Sequence, residues 1–362
     1  MNKFLSNKYA FLGKEQKANT ALTNKMRGAL KNSTWQFLIF GALICVIGYL
    51  AVNKVIPYSL QSGIATTLAY SIAAIGFCLL MGYSGLASLG TGGFIGIGTY
   101  SVYYIMNESN MSFAIAIIVA LLVSVVIGII VGFISLRIEG IYLCILTLGL
   151  SEILRNLYMA LEDTIKISNF EIFGMLVKRQ SSIYIVAVVL VVIMIITQNL
   201  INSPTGRAML AMKNSTAAAQ AMGISLIKYR LLAFVICTAY AAISGVMLMV
   251  CMRAATASDG TGFYALITSL NILAAVIIGG YKSIWGAVFG TYIMYGLQTT
   301  LLNRIEVLQE NPVIITFVSG VLVILVVMFY PGGIAQLIWE LKGKLKKLFT
   351  KLKEVRYGKD LG

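Results

Sequence analysis

Ten stretches of this 362-residue chain are apolar over close to the roughly 20 residues that a helix needs to cross the hydrocarbon core of a bilayer. They fall at about 35–56, 58–81, 84–106, 112–136, 141–160, 183–200, 231–252, 265–281, 284–302 and 312–330. In lipid every backbone N–H and C=O must find a partner inside the protein, so runs of this length are confined to helices. The sequence therefore predicts an all-α polytopic membrane protein with about ten transmembrane helices. Composition agrees, since 59% of residues are hydrophobic and only 11% are charged, against roughly a quarter charged in a soluble domain. Segments 84–106 and 265–281 are either plain spans or broken, re-entrant ones.

The few charges are unevenly placed. The net charge is +15, and residues 1–34 (+6), 202–230 (+4) and 331–362 (+5) account for all of it. Short loops rich in Lys and Arg stay in the cytoplasm. Placing all three regions inside requires even numbers of crossings between them, and the ten stretches divide as six and four. The expectation is a multi-pass protein of the cell membrane, plasma or inner, with both termini cytoplasmic. Its parts are a basic extension 1–34, a transmembrane domain 35–330 interrupted by the cytoplasmic loop 202–230, and a basic tail 331–362. The turns at 137–140, with Arg137 and Glu139, and at Lys282 fall inside, and the 161–182 loop falls outside. Residues 1–34 lack the continuous apolar core of a cleaved signal peptide. In the tail, Leu341, Leu345, Leu348 and Leu352 recur at helical spacing among lysines. That run reads either as a helix lying on anionic lipid or as a solvated tail that enforces orientation. In a soluble chain this positive excess would raise nucleic acid as a partner; here it reads as topology, and the expected partner is membrane lipid.

Composition also removes chemistries. Without a single His, neither a Ser-His-Asp triad nor an HExxH zinc site can be built. Cys45, Cys78, Cys144, Cys237 and Cys251 stand singly in apolar runs and read as small buried hydrophobes, with no metal knuckle or disulfide framework. No cofactor motif and no Walker A sequence is present, so an enzyme is not expected and ATP hydrolysis would have to come from another chain. A proton- or sodium-coupled carrier usually carries intramembrane carboxylates, and only Glu152 comes close.

Three stretches stand out. Residues 202–230 begin with the helix breakers Pro204 and Gly206, continue through an Ala-rich, helix-prone run from Arg207 to Met222, and stop at Gly223. A short helix of small residues in a 29-residue loop suits docking into a groove on another protein; the plainer alternative is a long connection. GYSGLASLGTGGFIGIGTY, Gly82 to Tyr100, holds seven glycines interleaved with Ser84, Ser88 and Thr91. That density fits close helix packing or a locally unwound backbone lining a substrate path, with Ser84, Gly85, Ser88 and Thr91 as lining candidates. GGYKSIWGAVFGTYIMYG, Gly279 to Gly296, has a related pattern, so the two are candidate equivalents in two halves of the chain. In Arg137–Leu157, Glu152 and Arg155 stand three apart and can pair. Glu152 and the deeper Thr147 are further lining candidates, set against an interfacial ion pair and a hydroxyl satisfied by its own helix.

With these stretches in view, the chain resembles the permease subunits of branched-chain amino acid ABC importers, of the LivM type. The likeness runs over most of residues 58–335. It rests on the Gly82–Tyr100 motif, LRIEGIYLCILTLGLSEILRN (Leu136–Asn156), SPTGRAMLAMKNSTAAAQAMGISLIKYRLLAF (Ser203–Phe234), SLNILAAVIIGGYKSIWGAVFG (Ser269–Gly290) and FYPGGIA (Phe329–Ala335). The resemblance implies a vitamin-B12-permease-like helical architecture, a second permease of the LivH type, two ATPase subunits and an external solute-binding protein that delivers an amino acid. It also implies that the 203–230 loop docks on the ATPase, giving Gly206, Arg207, Ala217, Ala218, Gly223 and Ile224 a coupling role. Permeases of the same superfamily also carry urea, nucleosides and sugars, and an autonomous channel or secondary carrier is the alternative from another class. Leu161–Gly174 (LEDTIKISNFEIFG) departs from the glycine-rich stretch that related permeases commonly have there.

Overall fold

A computed structural model describes residues 34–50, 57–109, 111–135, 141–167, 170–172, 175–176, 179–258 and 262–297, with isolated positions at Asn53, Gly320, Val321, Ile324 and Met328. The expectations for the basic extension, the Arg137–Gly140 turn, the last span and the basic tail lie outside the described residues.

The helices follow the apolar runs: α1 (Thr34–Leu50), α2 (Tyr58–Leu79), α3 (Thr91–Tyr103), α4 (Phe113–Ser135), α5 (Ile141–Leu161), α6 (Ser182–Asn202), α7 (Pro204–Asn214), α8 (Thr216–Ala221), α9 (Leu226–Met252), α10 (Leu266–Gly279) and α11 (Ile284–Thr291). Looser π-helical turns extend α2 to Ser84, α3 to Glu108 and α11 to Gly296. Among the described residues, five helices are long and apolar enough to cross a membrane, the shorter α1 and α10 being apolar as well.

The span expected at 84–106 is broken. Helix α2 runs on to Ser84, residues 85–90 are irregular, and a new helix starts at Thr91. The helix-prone 207–222 run is likewise two helices. Ser215 adopts extended φ/ψ and its Oγ accepts from Ala218 N at 3.2 Å, so this polar residue stops α7 and caps α8.

The centre of the bundle is α9, packed against α2, α3 and α4. Backbones come close where side chains vanish: a Cβ on Gly98 would overlap Ala242 O, and one on Gly245 would overlap Ile95 O. Helix α4 is a wall, with Ile115, Ile118, Leu122, Val126, Ile129 and Phe133 exposed along one face at helical spacing, the pattern of a surface that meets lipid or another apolar chain. The 161–182 loop contributes β1 (Thr164–Lys166), β2 (Glu171–Ile172) and β3 (Met175–Leu176). Strand β1 pairs antiparallel with β4 (Ala254–Thr256), with Ile165 opposite Ala255. Asp163 accepts from Ser258 N at 2.7 Å and Ser258 Oγ at 2.8 Å, and Arg179 donates to the carbonyls of Cys251 and Met252. These contacts tie the α5–α6 connection to the end of α9. All five cysteines are free. Cys78, Cys237 and Cys251 are buried, as expected, whereas Cys45 and Cys144 are half-buried.

Candidate functional site

Two neighbouring features hold most of the candidate residues: the unwound backbone leading into α3, and the α7–α8 loop beside it.

The break at 85–90 would leave buried amides without partners if the surrounding helices supplied none. They supply hydroxyls. Thr147 Oγ1 on α5 accepts from Leu89 N at 3.0 Å and donates to Leu143 O. Ser88 Oγ accepts from Gly90 N at 3.3 Å. Gly92 N donates to Ser269 Oγ on α10 at 2.8 Å, and Gly93 N donates to Ser151 Oγ on α5 at 2.9 Å. Two helices, α5 and α10, therefore converge on the first turn of α3, and its Gly92 and Gly93 amides are met from outside, since its N-cap, Gly90, has no side chain. This is how irregular backbone survives inside a bundle. Beyond that turn the helix is clamped by aromatic rings. Tyr100 and Tyr158 stack at 4.5 Å, Tyr158 OH donates to Gly93 O at 2.8 Å, and Thr99 Oγ1 donates to Tyr264 OH at 2.9 Å.

The six lining candidates are dispersed. Ser84 is buried and bonded to Leu80 O of its own turn. Gly85 is exposed at φ +75°, beside Lys213. Ser88 and Thr147 hold the unwound backbone. Thr91 is buried, and its Oγ1 has no partner among the described residues. Glu152 sits apart in the expected pair, its Oε1 2.6 Å from Arg155 Nη2; its side chain is 44% exposed, so the pair contributes little to stability. Ser151, Ser269 and Tyr158 escaped the sequence reading.

The coupling candidates form one continuous element. Ser203 caps α7, accepting from Gly206 N, with Pro204 in the first turn. Met209 and Met212 bury the inner face. Arg207 lies on the outer face and donates to Asn202 O. Helix α8 is short and Ala-rich, with Ala217 and Ala218 exposed. It ends in a Schellman motif, with Gly223 N donating to Gln220 O at 2.9 Å and Ile224 N to Ala219 O at 3.0 Å. Gly223 is left-handed, at φ +76°, and has open space around it, so its backbone conformation is what calls for glycine. Met222 beside it is 82% exposed, and Ile227 is exposed too, giving the loop a small apolar outer surface.

Away from this region, a cavity of about 280 Å³ opens between α1, α2 and α11, lined by Phe40, Ile44, Ile64, Leu68, Val288 and Tyr292 among others. Two of its hydroxyls, those of Thr67 and Ser71, are spent on carbonyls of their own helix. Among the described residues no charged group lines it.

The pattern defining the family of branched-chain amino acid transport system permease components matches residues 59–327, most of the chain and every element of the candidate site. The chain belongs to that family. It is 27% identical over 313 residues to the high-affinity branched-chain amino acid transport system permease protein LivM of Salmonella typhimurium, covering 77% of this chain and 71% of that protein. The LivM protein of Escherichia coli is 26% identical over the same length and coverage. A probable ABC transporter permease of Escherichia coli, YphD, is 27% identical over 125 residues, 34% of this chain and 36% of that one. No solved structure shows a significant match.

Proposed function

We infer that this chain is a non-catalytic, membrane-spanning subunit of an ABC importer for branched-chain amino acids, working with a second permease, two ATPase subunits and an external binding protein. The reading carries with it about ten crossings in a vitamin-B12-permease-like arrangement, both termini in the cytoplasm, and a 203–230 loop that docks on the ATPase. The observation that supports it most directly is the α7–α8 loop. It is a capped, exposed, small-residue element inside the family match, positively charged, and packed against the turn that leads to the broken start of α3. The cargo assignment follows the relatives' names, and an apolar helix bundle whose ion pairing among the described residues is the single Glu152–Arg155 pair of α5 suits a hydrophobic solute driven by hydrolysis elsewhere.

The test is affinity purification of the tagged chain from its native membrane, then uptake in proteoliposomes. An ATPase should co-purify, and uptake of labelled leucine, isoleucine or valine should require both ATP and the binding protein. Flux of the same solutes through the chain alone, without ATP, would overturn the reading; uptake of urea, a nucleoside or a sugar in their place would overturn the cargo. Within this assay Gly223→Val should abolish most uptake without loss of membrane insertion, because a β-branched residue in the left-handed conformation is strained by about 1–2 kcal/mol. Gly223→Asn, which tolerates that conformation, should retain uptake.

A further inference from the structure

Helix α2 and its π-helical extension end at Ser84 with no basic residue in the last turn, although the last carbonyls of any helix lack intrahelical donors and carry partial negative charge. The missing cation comes from a distant part of the chain. Lys213, in the last turn of α7, directs its Nζ to Met81 O at 3.0 Å and to Gly82 O at 2.9 Å. The same ammonium lies 4.4 Å from the centre of the Tyr281 ring, in the turn between α10 and α11. Its stem passes within 3.2 Å of where a Cβ on Gly85 would stand, so the first residue of the unwound segment lies directly under it.

The two turns beneath Lys213 are also joined to each other. Cys78 Sγ donates to Tyr281 O at 3.1 Å and Tyr83 OH to Lys282 O at 3.2 Å. A single side chain from the loop thus sits on the junction between the end of α2, the start of the 85–90 break and the α10–α11 turn. Among the described residues no carboxylate pairs with it. Carbonyl dipoles and a ring face hold it instead, beside Lys282, whose Nζ is 5.9 Å from the same ring. Partial burial and the repulsion of Lys282 both push the Lys213 pKa down, as expected for an ammonium without a counter-ion.

We propose that Lys213 is the positioning residue that delivers movement of the α7–α8 loop to the end of α2 and to the unwound segment before α3. The proposal rests on reading that loop as the ATPase-docking element. Met209 and Met212 seat α7 by apolar packing on the same face, which resists separation but little resists sliding. The Lys213 contacts are directional, so they convert a displacement of α7 into a pull on Met81, Gly82 and Tyr281 together.

The test uses the full-length chain in its assembled complex. Lys213→Met keeps the stem and its packing and removes the charge and donors; Lys213→Arg keeps both. In Lys213→Met the ATPase should still co-purify and its basal ATP hydrolysis should persist. Uptake per ATP hydrolysed should fall at least about tenfold, the scale of losing charge-assisted hydrogen bonds, with substantial recovery in Lys213→Arg. Tyr281→Leu, which leaves the two carbonyl bonds, should give a smaller loss in the same direction. Hydrogen exchange on the chain alone gives a readout independent of the ATPase: amides of residues 85–90 should exchange at least about tenfold faster in Lys213→Met. An unchanged ratio of uptake to hydrolysis, or unchanged exchange at 85–90, overturns the proposal. Failure of the wild-type chain to retain an ATPase overturns the docking reading instead, and with it the transmission role.

Discussion

At the start of α3 the backbone is unwound over six residues, and its amides are taken up by hydroxyls from α5 and α10. At the start of α11 the backbone turns tightly within four residues and meets its amides locally, although two of its carbonyls accept from Cys78 and Tyr83: Gly280 N donates to Val276 O, Ser283 N to Gly280 O, and Gly286 N to the cap Ser283 Oγ. Both regions are glycine-rich and both follow an apolar helix. In the α10–α11 region glycine brings two backbones together, since a Cβ on Gly279 would overlap Gly286 O and a Cβ on Gly286 would overlap Gly279 O. Ahead of α3 it leaves amides to be recruited by other helices. A hairpin that closes on itself is a rigid corner, whereas a break held by borrowed hydroxyls can be released when those helices move.

The comparison can be broken most severely at Gly279. A valine there has backbone on the other side, with no flexible neighbour to yield, so the cost should exceed the about 3 kcal/mol of ordinary overpacking. Gly279→Val should give no monodisperse protein in detergent. A folded, thermally stable variant would show that the α10–α11 corner opens more easily than its geometry states.

Next in size is the contrast between borrowed and local caps. Ser151→Ala and Ser269→Ala each strand a buried amide at the first turn of α3, at about 1–3 kcal/mol apiece. Ser283→Ala removes an ordinary N-cap, at about 1 kcal/mol. The double variant Ser151→Ala/Ser269→Ala should therefore lower the melting temperature well beyond Ser283→Ala. Equal shifts would mean that water reaches the α3 amides and that the break is not sealed by these helices.

How far the sequence anticipated this depends on the range of each interaction. The apolar runs, the stop at Gly223 and the Glu152–Arg155 pair are local, written within a few residues, and each was legible. So was the choice for 84–106 between a plain and a broken span, though not its outcome. Ser215 as a stop inside the 207–222 run was missed, because Ala-rich propensity on both sides outweighed one polar residue. Ser269, Ser151 and Lys213 were beyond reach. Their partners are 177, 58 and 131 residues away, and a serine or lysine in a helix carries no mark of which distant amide or carbonyl it will meet.

Thr91 offers the smallest effect and the finest discrimination. It stands at the same first turn as Gly92 and Gly93, buried like them, yet its Oγ1 has no partner among the described residues, whereas the neighbouring amides are all met. Burying a hydroxyl without a bond costs about 1–3 kcal/mol, so a shape-matched valine should leave stability unchanged or raise it by up to about 1 kcal/mol. If that hydroxyl is left over for cargo or for water moving beside it, Thr91→Val should raise the KM for uptake about 2–10-fold, the worth of one neutral hydrogen bond, and Thr91→Ser should restore it. A melting temperature lowered as far as in Ser151→Ala would instead make Thr91 one more clasp on the α3 turn. The difference between the two glycine-rich regions would then be purely one of packing.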